Sequence, residues 1–202
     1  MYAAIWTAGD SPRADFLGAL LQGVQFSVAA DAGATTAQHF GYAPDFWVGD
    51  SDSGAPPASL PPKNIYLLNR DKDLTDTEFA VDLALKNGAT RLVMIGGGGR
   101  RMDHWLSNLD LMRRTPELKT WITGFELATR LQAPSKFLLK PGLVSIFSLE
   151  KKGRITGAGL KWPIDDLDFA RQHSLSNVVE KDSGEIKAEE GLFVIIQPFD
   201  EN

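Results

Sequence analysis

Residues 91–114, "RLVMIGGGGRRMDHWLSNLDLMRR", run from an apolar segment through four glycines and two arginines into a helix-length segment. The run 91–97 reads as a buried strand closed by glycine, and 102–114 as the helix that follows. A strand that turns through glycine into a helix is one half of a βαβ unit, so its surroundings decide the fold. Four consecutive glycines cost backbone entropy, and they predict a place where the backbone comes close to a ligand. N–H groups at a helix start bind phosphate, and Arg100 and Arg101 add donors for its oxygens. A glycine-rich hairpin is the alternative, but it leaves the helix unexplained. The stretch is not a Walker A loop, because G-x-x-x-x-G-K-[ST] occurs nowhere in the chain.

Upstream, the same alternation recurs. Strand-like runs occupy 2–9, 25–30, 45–50 and 64–69, with helix-like segments at 11–23, 34–40 and 75–87. Ser11 suits an N-cap and Pro12 the first helical position. The pattern predicts an α/β domain over 1–124, a mostly parallel sheet with flanking helices. Downstream of about residue 135 the texture changes. "KFLLK" (136–140), "LVSIFSLE" (143–150), "GRITGAGLKW" (153–162), "SLSNVVE" (174–180), "GEIKAEE" (184–190) and "GLFVIIQP" (191–198) are short runs split by Gly, Pro and Asn. They predict a smaller C-terminal all-β domain over 135–202, a sandwich or barrel, with the boundary near 124–135.

Composition narrows the function. The chain has 202 residues, 43% hydrophobic and 23% charged, which is ordinary for a folded domain or two. A net charge of -5 argues against a broad nucleic-acid surface. No apolar run is long enough to span a bilayer, and the opening "MYAAIWTAGD" does not read as a signal peptide, so no membrane partner and a cytoplasmic location are expected. The absence of cysteine excludes disulfides and thiolate metal sites.

Ligands in open α/β sheets gather at the carboxyl ends of the strands. Four such ends carry acids or glycines: "DAGA" (31–34), "DSDSG" (50–54), "RDKDLTD" (70–76) and "GGGGRRMDH" (96–104). Asp50 and Asp52 alternate, so on extended backbone they point to one side and repel unless a cation sits between them. Mg²⁺ suits such a pair, and an Asx-turn is the bland alternative. "TDTE" (75–78) fits a capping box, with Asp76 on the helix dipole. Asp71 and Asp73 lie before the cap, outside that structural explanation. Lys72 between them offsets their repulsion or binds phosphate as a point charge.

Four motifs in this order resemble the thiamine pyrophosphokinase family: "ADAGAT" (30–35), "GDSDS" (49–53), "DKDLTD" (71–76) and "GRRMDHWLSN" (99–108). In the β half, "GLKWPI" (159–164), "SLSN" (174–177) and "GLFVII" (191–196) are similar as well. Departures are Ala32, Thr35, Ser51 and Arg100; Arg101 is the matching arginine. The resemblance implies transfer of the β,γ-pyrophosphoryl group of ATP to thiamine, with Mg²⁺ required and thiamine diphosphate and AMP as products. It implies that Asp50, Asp52, Asp71 and Asp73 hold the metal and position the triphosphate. Lys72, Arg101, Gly98 and Gly99 would contact phosphates. Asp31 would face the nucleotide or join the metal cluster, and Asp76 would support the same network. Asp103 would orient or deprotonate the thiamine hydroxyl, with a plain helix-dipole role as rival. Trp162, Ser176 and Asn177 would form the thiamine pocket, and the family's sites lie at a homodimer interface. Trp162 as β-core is the rival there. Trp6, Trp47, Trp105 and Trp121 read as packing residues. Two other readings stand beside this one: a pyrophosphokinase for another heteroaromatic alcohol such as a hydroxymethylpterin, and a nucleotide- or thiamine-binding module without turnover.

Overall fold

A computed structural model describes residues 1–10, 12, 14–99, 101–165, 167–180 and 182–199. The Ser11 cap and Arg100 lie outside the described residues. The chain divides into two compact units, Met1–Phe125 and Glu126–Asn202.

The first unit alternates strands and helices: β1 Tyr2–Trp6, α1 Ala14–Leu20, β2 Phe26–Ala30, α2 Gly33–His39, β3 Phe46–Gly49, β4 Ile65–Leu67, α3 Asp76–Lys86, β5 Arg91–Ile95, α4 Met102–Arg114 and β6 Leu118–Ile122. Its strands run in the order β6-β5-β1-β2-β3-β4, and every pairing among them is parallel. Near-continuous apolar runs produce this, because a parallel sheet covered on both faces buries both sides of each strand. In β1, Ala3, Ala4, Ile5 and Trp6 are all buried, and so are the last four residues of β5. The chain winds outward from β1 to β4, then returns to the other side of β1 as β5. The order therefore reverses beside β1, and that reversal opens a crevice at the carboxyl edge.

Local chemistry fixes the elements that border this crevice. Helix α3 starts with a complete capping box: Thr75 Oγ1 accepts from Glu78 N at 3.2 Å, and Thr75 N donates to Glu78 Oε2 at 2.7 Å. Helix α2 enters so close under β1 that a Cβ on Gly33 would lie 2.1 Å from the Trp6 carbonyl oxygen. Two buried indoles act as tethers: Trp47 Nε1 donates to Asp31 O at 3.0 Å, and Trp121 Nε1 to Gly96 O at 2.7 Å. The strand 118–122 is not among the runs read from sequence. "LKTWI" carries two polar residues, and it forms a strand because its backbone extends the sheet beside β5.

The second unit is all antiparallel: β7 Glu126–Gln132, β8 Ser135–Leu139, β9 Gly142–Ser148, β10 Arg154–Ala158, β11 Ser174–Val179, β12 Gly184–Glu190 and β13 Leu192–Pro198. Within it the strands order as β11-β9-β13-β7 and as β10-β12-β8. In β12 burial alternates, with Gly184, Ile186 and Ala188 inward, as a strand with one packed face requires. Leu131, Val144, Ile146, Phe193 and Ile195 from the first set meet Leu139, Ile155 and Ile186 from the second in one apolar core. This is a sandwich. Among the described residues no helix is long and apolar enough to cross a membrane.

The capping box gives a direct test of the local argument. Thr75→Ala should lower stability by about 1 kcal/mol, read as a lower melting temperature with unchanged far-UV circular dichroism. An unchanged melting temperature would mean the cap does not hold α3.

Candidate active site

A cleft of about 680 Å³ opens at the carboxyl edge of the parallel sheet. Thr7 follows β1, Asp31 follows β2, Asp50 and Asp52 follow β3, and Gly97 follows β5 in lining it. Lys72 comes from the β4–α3 connection and Asp76 from the start of α3; Arg101 precedes α4, Asp103 and His104 lie in its first turn, and Asn108 lies midway along it.

Three carboxylates converge there. One oxygen each from Asp31, Asp50 and Asp76 lies within 4.8 Å of the others. Asp31 is 4% exposed, at φ 45°, a left-handed conformation that aspartate tolerates better than most residues. Its Oδ2 accepts from Ser53 N at 3.1 Å and from the Ser53 hydroxyl. Its Oδ1 is buried and has no hydrogen-bond partner among the described residues. Lys72 Nζ lies 2.6 Å from Asp50 Oδ2 and 3.1 Å from Asp76 Oδ1. The second approach is an ion pair without hydrogen-bond geometry, so Asp76 Oδ1 also lacks a hydrogen-bond partner among the described residues.

The charge states follow from these contacts. The Lys72 hydrogen bond holds the Asp50 carboxyl below the usual range. Burial pushes Asp76 up, and Lys72 only partly offsets it. Burial pulls Lys72 down, but Asp50 and Asp76 outweigh this and its ammonium is held more firmly than usual. An orphaned buried carboxylate oxygen facing two further acids fits a divalent cation. An octahedral Mg²⁺ with oxygens at about 2.1 Å spans roughly 4.2 Å between opposite ligands, which falls inside the 4.8 Å that bounds this group.

The acids expected to share a metal divide. Asp50 is in the group, and Asp31 and Asp76 join it. Asp52 lines the cleft but is exposed, and its N–H donates to Asp50 Oδ1 at 3.1 Å in an Asx-turn. Asp71 and Asp73 are exposed and lie outside the cleft lining. Lys72 turns inward between them, and its two chain neighbours face out.

The glycine loop is shaped first by the protein itself. Gly97 sits at φ 73°, and a Cβ there would lie 2.4 Å from Asn108 Nδ2, which donates to Gly97 O at 3.2 Å. Asn108, buried on α4, thus clamps the loop; only its place at the end of "GRRMDHWLSN" signals it in the sequence. Gly98 pairs with Asp10, and Gly98 and Gly99 line an adjoining hollow with Asp10 and Arg101. Arg101 caps Asp103 through two nitrogens, Nε at 3.1 Å and a second, shorter contact. That pairing lowers the Asp103 carboxyl, which makes it a weak base in this arrangement.

In the second unit, Asn177 is 1% exposed and fully engaged. Its Oδ1 accepts from Trp162 N at 3.1 Å and Val178 N at 2.8 Å, and its Nδ2 donates to Trp162 O at 2.7 Å and Ser174 Oγ at 3.0 Å. No polar atom is left for a ligand, so Asn177 positions the loop that carries Trp162. The Trp162 ring is 51% exposed rather than part of the β-core, with Lys161 Nζ 4.8 Å from its centroid. Ser176 is exposed at φ 53° where β11 slips register against β9, a bulge that re-aims its side chain.

This arrangement has known counterparts. The catalytic-domain model of thiamin pyrophosphokinase matches residues 17–122, and the vitamin B1 binding domain of thiamin pyrophosphokinase matches 137–193. The chain belongs to the thiamin pyrophosphokinase family. Its activity is that of a thiamine diphosphokinase; the pterin-type acceptor and the module without turnover are not favoured. Thiamin pyrophosphokinase from Geobacillus thermodenitrificans shares the fold at 22% identity and TM-score 0.78, covering 100% of this chain and 99% of that one. The Bacillus subtilis enzyme does so at 20% and 0.79, covering 99% and 100%. The yeast enzyme does so at 16% and 0.70, covering 98% and 86%. No curated protein sequence matches the chain significantly.

Asp76 supplies a test with a defined sign. Because burial raises its carboxyl, its contribution to stability is present below the ordinary carboxyl range and lost as pH rises through the raised value. At neutral pH its charge therefore opposes folding to the extent that Lys72 leaves the cost of its burial uncompensated. Asp76→Asn should melt no lower than wild type in EDTA, and is expected to gain less in melting temperature than wild type when Mg²⁺ is added. A preserved Mg²⁺ response would remove Asp76 from the cation site.

Proposed function

We propose that this chain transfers the β,γ-pyrophosphoryl group of ATP to the primary hydroxyl of thiamine. The bond between the β-phosphorus and its bridging oxygen to the α-phosphate breaks. A bond from the thiamine oxygen to the β-phosphorus forms, AMP leaves, and the hydroxyl proton is released. The observation that carries this reading is the group Asp31, Asp50 and Asp76, with an orphaned buried oxygen, in the same cleft as Arg101 and the open start of α4.

Phosphoryl chemistry asks a protein mainly for positioning and charge neutralisation. Asp31, Asp50 and Asp76 are assigned to hold Mg²⁺, which when bound would neutralise triphosphate charge. Asp52 at the cleft, with the exposed Asp71 and Asp73 on either side of Lys72 in the chain, is assigned to a local negative field that disfavours bare polyphosphate and favours its metal complex. Lys72, Arg101 and the N–H groups of Gly98, Gly99 and the α4 start are assigned to phosphate oxygens. Asp103 is assigned to orienting Arg101 and the acceptor hydroxyl.

Thiamine is a cation with two aromatic rings, so it needs a stacking face and hydrogen-bond partners. The open face of Trp162 and the bulged Ser176 are assigned to it, with Asn177 holding their loop. The assembly proposed with this reading is a homodimer with its sites at the subunit interface. Its support is an apolar stripe left open on α4, where Met102 and Leu106 are 76% and 61% exposed.

The reaction is tested by incubating the protein with ATP, Mg²⁺ and thiamine and identifying products by mass spectrometry. Thiamine diphosphate with AMP is expected. Thiamine monophosphate with ADP would overturn the reaction type, and thiamine binding without product would point to a binding module.

A further inference from the structure

Lys72 neutralises two of the acids that the proposed metal would use. Its ammonium lies 2.6 Å from Asp50 and 3.1 Å from Asp76, two of the three acids that converge. Its side chain is 14% exposed and that of Asp50 is 9% exposed, so little water screens the pair. An ammonium and a Mg²⁺ compete for these carboxylates, because the ion takes a carboxylate oxygen at about 2.1 Å and repels a neighbouring cation.

We propose that Lys72 is a built-in counter-cation that the metal displaces, and that the displaced ammonium then serves a phosphate. In the metal-free protein Lys72 neutralises Asp50 and Asp76 and keeps the acids together. Metal entry takes those oxygens and frees a flexible, strongly charged group at the same cleft. The nucleotide's phosphates arrive with the metal and carry the charge that this group requires. Lys72 thus couples metal occupancy to phosphate binding through one exchange of partners. The exchange rests on the metal site proposed above and adds the order in which that site is used.

The test uses Lys72→Met, which keeps the stem and removes the charge. Mn²⁺ serves as probe, with free Mn²⁺ read by electron paramagnetic resonance and melting followed with and without metal. The variant should melt lower than wild type in EDTA and recover to the wild-type value in saturating Mn²⁺. It should also bind Mn²⁺ about tenfold more tightly, the effect of one removed interaction worth a pKa unit, while losing the further gain that ATP gives wild type. Equal Mn²⁺ affinity, or an unchanged melting temperature in EDTA, would overturn the exchange and leave the metal site standing. No Mn²⁺ bound by either protein would overturn the metal site, and the exchange with it. If Lys72→Met does not fold without metal, Lys72→Gln read the same way decides the question.

Discussion

Like charge held in a small volume is the constraint on which the catalytic half depends. At the outer spacing of 4.8 Å, two carboxylates repel by roughly 3 kcal/mol at an effective dielectric of about 20. Three of them cannot be held by side-chain preference alone. They are held because each sits on backbone already fixed for other reasons. Asp31 follows a buried strand, with its carbonyl tied to Trp47 and its amide to Val48. Asp50 closes an Asx-turn, and Asp76 is the first residue of a capped helix. The burial of β1, β2, β3 and β5 supplies the rigidity, and the carboxyl edge concentrates the charge.

This explains the tight backbone beside the cleft. Side chains at Gly33 or Gly97 would collide with the Trp6 carbonyl or with Asn108. The glycine run was expected to make room for a ligand. Gly97 makes room for an asparagine that fixes the loop, and its own N–H donates to Ala8 O, so the protein itself sets the loop's shape in advance. Preorganisation of that kind is what electrostatic stabilisation requires, since donors that must reorganise give back much of what they gain.

The sequence showed the α/β half through its alternating apolar runs, and α4 falls on the expected residues 102–114. Strand β6 was hidden because "LKTWI" alternates polar with apolar, so neither a buried run nor a clean one-faced strand stands out. Strand β7, "ELATRLQ", was hidden for the same reason: Arg130 and Thr129 break the pattern, and the strand forms because β13 pairs along its whole length. In the site, residue types were legible and the selection among them was not. A loop rich in aspartate leads one to expect a cation. Which oxygens meet depends on the direction each side chain takes, and that is set by long-range packing. Asp71 and Asp73 looked like the free acids because the cap accounted for Asp76. The first turn of α3 faces the cleft, however, so Asp76 both opens the helix and lines the cleft.

The β half follows the same logic with neutral groups. Asn177 spends all its hydrogen-bonding capacity on Trp162, Val178 and Ser174. A buried amide so fully satisfied is a rigid fastener, because breaking any one contact strands a polar atom away from water. It holds a large ring half-open to solvent, a position that the hydrophobic effect alone would not choose. A motif asparagine in such a place is easily mistaken for a ligand contact. Its chemistry is spent on its own chain, and what it leaves available is the indole beside it.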